Sequence, residues 1–184
     1  MNTWSTLEAA KWLTRTGWML RGIPGSFAET VSQHSWETGI IAFIIADRAS
    51  KKGVKVNPYR AATIGLLHDL LEGVVGDIPK YTSRLIGELK KSFEKTALEE
   101  LQLDASLKQV IVEWLQGDTV ESRIARIADA LSTYVQAIRY VSIGYRKAEE
   151  IANTSRQKAL EEAENLTFKD VILDLINEIE KQNS

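Results

Sequence analysis

The chain has no cysteine, which excludes disulfides, thiolate-held zinc and a cysteine nucleophile. The same absence suits a reducing compartment, and a cytoplasmic location is expected. Proline is scarce: Pro24, Pro58 and Pro79 each fall where the hydrophobic pattern already breaks. Long hydrophobic runs are missing as well. The most apolar stretch, Gly39 to Ala46, is far too short to cross a bilayer. Glu8 precedes any long apolar run, so no secretory signal is expected. Neither sign of charge dominates, because 23 Lys and Arg stand against 25 Asp and Glu for a net charge of −2. That balance leaves no basic footprint for bulk nucleic-acid binding, although it permits a small cationic pocket. No membrane or nucleic-acid partner is expected.

What is present is helical periodicity. With 184 residues, 44% of them hydrophobic, the chain can build one substantial core, and no Pro-, Gly- or Ser-rich linker divides it. One all-α domain over residues 1–184 is expected. No stretch alternates as a half-buried strand would. A first helix is read over Leu7 to Thr14 and a long one over Glu29 to Ala49, closed by Lys51-Lys52-Gly53. Asn57-Pro58 opens the next helix, with a capping side chain before proline at the first helical position. That helix reads through to Gly73 with Ala62, Leu66, Leu67 and Leu70 inward. A charged helix follows over Ser83 to Leu101, and Asp104 is placed to cap another. Asp118 and Glu121 have capping-box spacing ahead of a helix that aligns Ile124, Ile127, Leu131, Val135 and Ile138 on one face. Two closing helices are read over Tyr145 to Asn165 and Phe168 to Lys181.

Two histidines occur in the whole chain, His34 and His68, each with acidic neighbours. Asp69 follows His68 directly and Glu72 stands one helical turn later, so His68 and Glu72 should share a face with Asp69 turned aside. Asp129 lies in Ile124–Leu131, a segment otherwise built for burial. A buried carboxylate is costly unless it pairs with a cation. Arg123 or Arg126 could be that cation, and a single helical histidine is more often a satisfied polar residue than a ligand. The ordered set carries more weight: His34, then His68-Asp69, then Asp129, on three separate helices. Imidazole and carboxylate together suit Mn, Co, Ni, Fe, Zn or Mg and leave positions for water and a substrate oxygen.

That order resembles the H…HD…D pattern of the HD-domain phosphohydrolases. More narrowly, the chain is similar to the HD-domain 5′-deoxynucleotidases, the group of the YfbR-type enzymes and their archaeal and eukaryotic relatives. Three segments carry the likeness: Arg15-Thr16-Gly17-Trp18-Met19-Leu20-Arg21, Glu29-Thr30-Val31-Ser32-Gln33-His34-Ser35, and His68-Asp69-Leu70-Leu71-Glu72-Gly73-Val74-Val75-Gly76-Asp77-Ile78-Pro79. It runs from about residue 10 to 140, and the helices from about 145 to 182 match nothing familiar.

The resemblance implies an HD-domain helical bundle and a 5′-nucleotidase acting on deoxynucleoside monophosphates. It implies one divalent metal held by His34, His68, Asp69 and Asp129. Glu72 would orient or deprotonate the attacking water, or protonate the leaving alkoxide. Arg15 and Arg21 would grip the phosphate, Trp18 would pack near the sugar or base, and Asp77 would lie near the sugar and oppose a 2′-hydroxyl. A homodimer is expected on the same ground. The alternatives are another small phosphoester, a nucleoside triphosphate, or a non-catalytic module with a structural metal. Gln33 departs from the Glu or Asp of many relatives. Gly73 after Glu72 breaks the HD-x-x-E-D pattern of guanosine-tetraphosphate hydrolases, and two histidines are too few for a histidine-rich dinuclear site.

Overall fold

Helices begin where side chains satisfy the free N–H groups of the first turn. A computed structural model describes residues 2–182, the side chain of residue 91 apart. Asn2 and Ser5 form a reciprocal capping box that starts α1 at Thr3–Trp12, N-terminal to the expected Leu7–Thr14. A short α2, Thr16–Met19, follows. Thr30 and Gln33 cap each other's backbone to open α3, Val31–Lys51, which leaves Glu29 outside the helix. Gln33 therefore has a local task, accepting from Thr30 N at 2.8 Å. Asn57 caps α4 by accepting from Tyr59 N and Arg60 N, with Pro58 at the first position as expected.

α4 ends at Leu67, six residues short of the expected Gly73. The reason is local. His68 Nδ1 engages the Gly65 carbonyl at 2.7 Å, the acceptor that a continuing helix would offer to Asp69 N. The chain then tightens through bonds from Leu70 N to Leu67 O, Glu72 N to Asp69 O and Gly73 N to Leu70 O. Glu72 opens a new short helix, α5, Glu72–Val75, so His68 and Glu72 do not share one helical face. The buried face of α4 is Ala61, Ile64 and Gly65, and Leu66 is exposed, not inward.

The expected helix over Ser83 to Leu101 is two, α6, Lys80–Ile86, and α7, Glu88–Glu100. Gly87 breaks them with φ 47°, a left-handed conformation that glycine adopts without penalty. α8 is Ala105–Gln116, with Asp104 at its N-cap position but making no side-chain capping bond. α9, Val120–Ser142, is capped by Thr119, which accepts from Ser122 N, and not by an Asp118–Glu121 box. Glu121 instead accepts from Asn57 N at 2.8 Å and ties the start of α9 to the start of α4. A 3₁₀ turn at Arg146–Ala148 leads into α10, Glu149–Ala163, and α11, Lys169–Gln182, ends the described chain.

α9 packs on α3, α4 and α10, and its inward face is the one read from sequence. Ile124, Ile127 and Leu131 are fully buried against Ile45, Ala46 and Ile172. α3 and α4 touch where Gly39 meets Gly65: a Cβ added to Gly65 would lie 3.1 Å from Gly39 Cα. That crossing is three residues before His68 and five after His34, so backbone contact there draws the two histidines together. Among the described residues the fold is all-helical with no strand, and no helix is long and apolar enough to cross a membrane.

Candidate metal centre

His34 from α3, His68-Asp69 from the turn after α4, and Asp129 from α9 converge. The two imidazole rings stand 5.2 Å apart, edge to face, and one ligand atom each from His34, His68 and Asp129 fall within 4.8 Å of one another. His34 Nε2 is 3.2 Å from Asp129 Oδ1 and 3.7 Å from Asp69 Oδ2. His68 Nε2 is 3.0 Å from Asp69 Oδ2 and 4.0 Å from Asp129 Oδ1. Both rings are buried, and the two carboxylates are largely so.

The surrounding hydrogen bonds set which nitrogen of each ring faces the cluster. His68 Nδ1 faces a backbone carbonyl, which can only accept, so Nδ1 carries the proton and Nε2 presents a lone pair. Ser132 Oγ donates to Glu37 Oε2 at 3.0 Å. Having one proton to give, that hydroxyl accepts from His34 Nδ1 at 3.1 Å, which turns His34 Nε2 toward the cluster and Asp129 Oδ1. Arg139 in turn holds Glu37 at 3.0 Å. The buried His68 Nε2 has no hydrogen-bond partner. Two imidazole Nε2 atoms facing two carboxylates form a donor set with a cation's place at its centre, and they fit a borderline divalent metal.

Electrostatics agree. Burial would raise Asp69, but the neighbouring His68 and His34 outweigh it and hold the carboxyl down at about 2. Burial also opposes Asp129, and Lys158 with His34 brings it well below the ordinary carboxylate range. Burial disfavours a charged His68, and Asp69 overcomes this and raises the imidazole.

Glu72 shows the opposite behaviour. Burial, then the charges of Asp69 and Asp77, push it up to about 10, and its Oε2 is buried with no hydrogen-bond partner. It is therefore protonated at neutral pH in the cation-free chain. A divalent cation beside Asp69 would oppose that shift.

The remaining expected residues have definite partners. Arg15 Nη1 meets Glu29 Oε2 at 3.2 Å and Thr133 Oγ1 at 3.4 Å, and its cation feels Asp69, Asp129 and Glu72. Trp18 is 2% exposed, and its indole N–H donates to Glu29 Oε2 at 3.0 Å, which makes it part of the core beside Tyr140. Arg21 pairs with Glu150 of α10 at 3.0 Å. Asp77 accepts a short hydrogen bond from Thr16 N, while its backbone carbonyl accepts from the Thr16 hydroxyl, which clips the turn after α5 to α2.

Sequence reading missed Ser132, Glu37, Lys158 and Trp114. Asp129 pairs with neither Arg123 nor Arg126 among the described residues; its cation is Lys158, whose Nζ lies 2.9 Å from Oδ2. Arg126 stacks on Trp114 at 4.7 Å and bonds its carbonyl, and Trp114 also meets His68 edge to face at 4.9 Å. Glu37 and Ser132 stand three residues after His34 and Asp129, on the same helical faces as those two residues. Lys158 gave no signal, because only the packing of α10 on α9 brings it to the cluster.

Comparison with known proteins places the chain. The family model described as 5′-deoxynucleotidase YfbR-like matches residues 4–179. A 5′-deoxynucleotidase HDDC2 from Xenopus laevis is 30% identical over 142 residues, a match covering 74% of this chain and 66% of the relative. The chain thus spans about two thirds of that relative's length. A 5′-deoxynucleotidase YfbR from Salmonella paratyphi B is 29% identical over 142 residues, covering 72% of this chain and 71% of the relative. A conserved hypothetical protein from Pyrococcus furiosus superposes with TM-score 0.78 at 27% identity, over 97% of this chain and 99% of its own. The PH0347 protein from Pyrococcus horikoshii shares the fold with TM-score 0.79 at 24% identity, over 95% and 94% of the two chains. The chain belongs to the YfbR-like 5′-deoxynucleotidase family of HD-domain proteins.

Proposed function

We propose that this protein is a metal-dependent phosphomonoesterase that hydrolyses (deoxy)nucleoside 5′-monophosphates to nucleoside and phosphate. The observation that carries the reading is the pair of buried imidazole Nε2 atoms turned toward Asp69 and Asp129. His34, His68, Asp69 and Asp129 would hold one divalent metal, Mn, Co, Ni, Zn, Fe or Mg. Bound there, it supplies Lewis-acid polarisation of the phosphoryl oxygens and a more acidic water.

The chain's own groups do the rest. In the reaction, water oxygen attacks phosphorus, the P–O5′ bond breaks, and the leaving alkoxide takes up a proton. Glu72, held up by burial and by Asp69 and Asp77, has a proton to donate to that alkoxide and can receive one from the attacking water. Arg15, fixed by Glu29 and Thr133, adds positive potential for the phosphoryl oxygens. Asp77, clipped to Thr16, is the group we assign to the sugar, where its charge would oppose a 2′-hydroxyl. Trp18 shapes the wall behind Glu29. Arg21 is paired with Glu150 of α10. We further infer a homodimer acting in the cytoplasm, on the family likeness and the cysteine-free composition.

Phosphate release from deoxy- and ribonucleoside 5′-monophosphates, triphosphates and an aryl phosphate tests the substrate class. Release confined to monophosphates and faster for deoxynucleotides is expected. Preference for triphosphates, or turnover of the aryl ester alone, would overturn it.

A further inference from the structure

Most cations around the centre are already committed. Arg15 is bound to Glu29 and Thr133, Arg21 to Glu150, and Arg126 to Trp114. Lys158 differs. Its Nζ sits 2.9 Å from Asp129 Oδ2, and the other oxygen of that carboxylate is 3.2 Å from His34 Nε2 and 4.0 Å from His68 Nε2. The ammonium is thus one carboxylate away from the proposed metal. An ammonium carries three N–H donors, and among the described residues Asp129 is its hydrogen-bond acceptor. The side chain is 39% exposed, and no second acceptor for its remaining donors stands among the described residues.

Lys158 lines a pocket. A solvent-connected space of about 530 Å³ is lined by Lys80, Asn153, Thr154, Gln157, Lys158 and Glu161. Lys80 comes from the start of α6, and the others from one face of α10. The lining offers a second ammonium and several neutral donors. Its single acid, Glu161, is engaged by the Gln157 amide at 3.0 Å. Two ammonium groups lining one open space suit a dianionic phosphoryl group.

We propose that Lys158 is a phosphoryl-binding residue, bridging Asp129 to the substrate's phosphate, and that Lys80 faces the same anion across the pocket. The proposal rests on the phosphomonoesterase reading above and gives it the anion-holding group its mechanism otherwise draws from Arg15 alone. The plainer alternative is a lysine that merely neutralises Asp129. The two differ in what its removal changes: neutralisation acts through the metal ligand, phosphoryl binding through the anion.

The test is made on the wild-type, Lys158→Met, Lys158→Arg and Lys80→Met proteins loaded with Co²⁺. Inorganic phosphate binding is measured by calorimetry, and Co²⁺ affinity separately by chelator competition. Lys158→Met is expected to lose tenfold or more in phosphate affinity while Co²⁺ affinity stays within about threefold. Lys158→Arg should keep most phosphate binding, and Lys80→Met should lose a few-fold. Unchanged phosphate affinity in a folded Lys158→Met protein would overturn the proposal. So would a loss fully matched by weakened Co²⁺ binding, or no phosphate binding by the wild type. If wild-type protein binds phosphate through Lys158 yet turns over no nucleotide, the substrate reading fails and the anion site stands. With nucleotide turnover, Lys158→Met should raise KM for the free monophosphate by the same factor.

Discussion

Ser132 receives the Nδ1 proton of His34 at 3.1 Å, because its own proton goes to Glu37. This single directed contact decides which nitrogen of a buried imidazole is left for a metal. Such outer partners orient ligands and raise their basicity.

Ser132→Ala should therefore lower divalent-metal affinity by roughly 10- to 100-fold without altering helix content. Glu37→Gln should act in the same direction, because an amide can donate to the Ser132 oxygen and release the serine proton toward His34. Chelator competition followed by circular dichroism checks both. Metal affinity unchanged in either folded variant would contradict the tautomer assigned here.

The Gly39–Gly65 crossing predicts a second effect. Gly65→Ala puts a Cβ 3.1 Å from both Gly39 Cα and the Thr38 carbonyl oxygen, so the two helices must separate. A loss of about 1–3 kcal/mol is expected from overpacking of this kind, with weaker metal binding as the histidines move apart. Denaturant titration with and without metal measures both.

Glu72 gives a pH-dependent prediction. Its folded value of about 10 lies above the ordinary carboxylate value, so the folded cation-free chain binds more protons than the unfolded one over that window. Its contribution is fully present below about pH 4.5 and is lost as pH rises toward 10. Glu72→Gln should remove that loss, raising the melting temperature of metal-free protein at pH 8–9 by several degrees, where ~1 kcal/mol corresponds to ~2–4 °C. The same variant, loaded with metal, should lose ~10²-fold or more in turnover while binding metal normally. An unchanged melting temperature at pH 9 would show that Glu72 is ionised there at no cost.

Much of this was legible in the sequence, for reasons that differ by element. The inward face of α9 and the Asn57-Pro58 start depend on local periodicity and capping, which a sequence states directly. The convergence of His34, His68 and Asp129 was legible through their order on separate helices and the cost of burying Asp129 in an apolar segment. The end of α4 was not, because it depends on His68 turning back to the Gly65 carbonyl, a contact that no propensity encodes. Thr119 caps α9 in place of Asp118, and Glu121, the other half of the expected box, accepts from Asn57 instead, a long-range contact that local spacing does not state. Lys158 stayed invisible because its place beside Asp129 belongs to tertiary packing alone.

The most direct test of the central claim uses metal-stripped protein with Mn, Co, Ni, Zn or Mg restored singly, beside an Asp69→Ala variant. Phosphate release from a deoxynucleoside 5′-monophosphate should be absent without metal, return with at least one cation, and stay absent in Asp69→Ala. Equal release from the stripped protein, or full activity in the folded variant, would contradict the account.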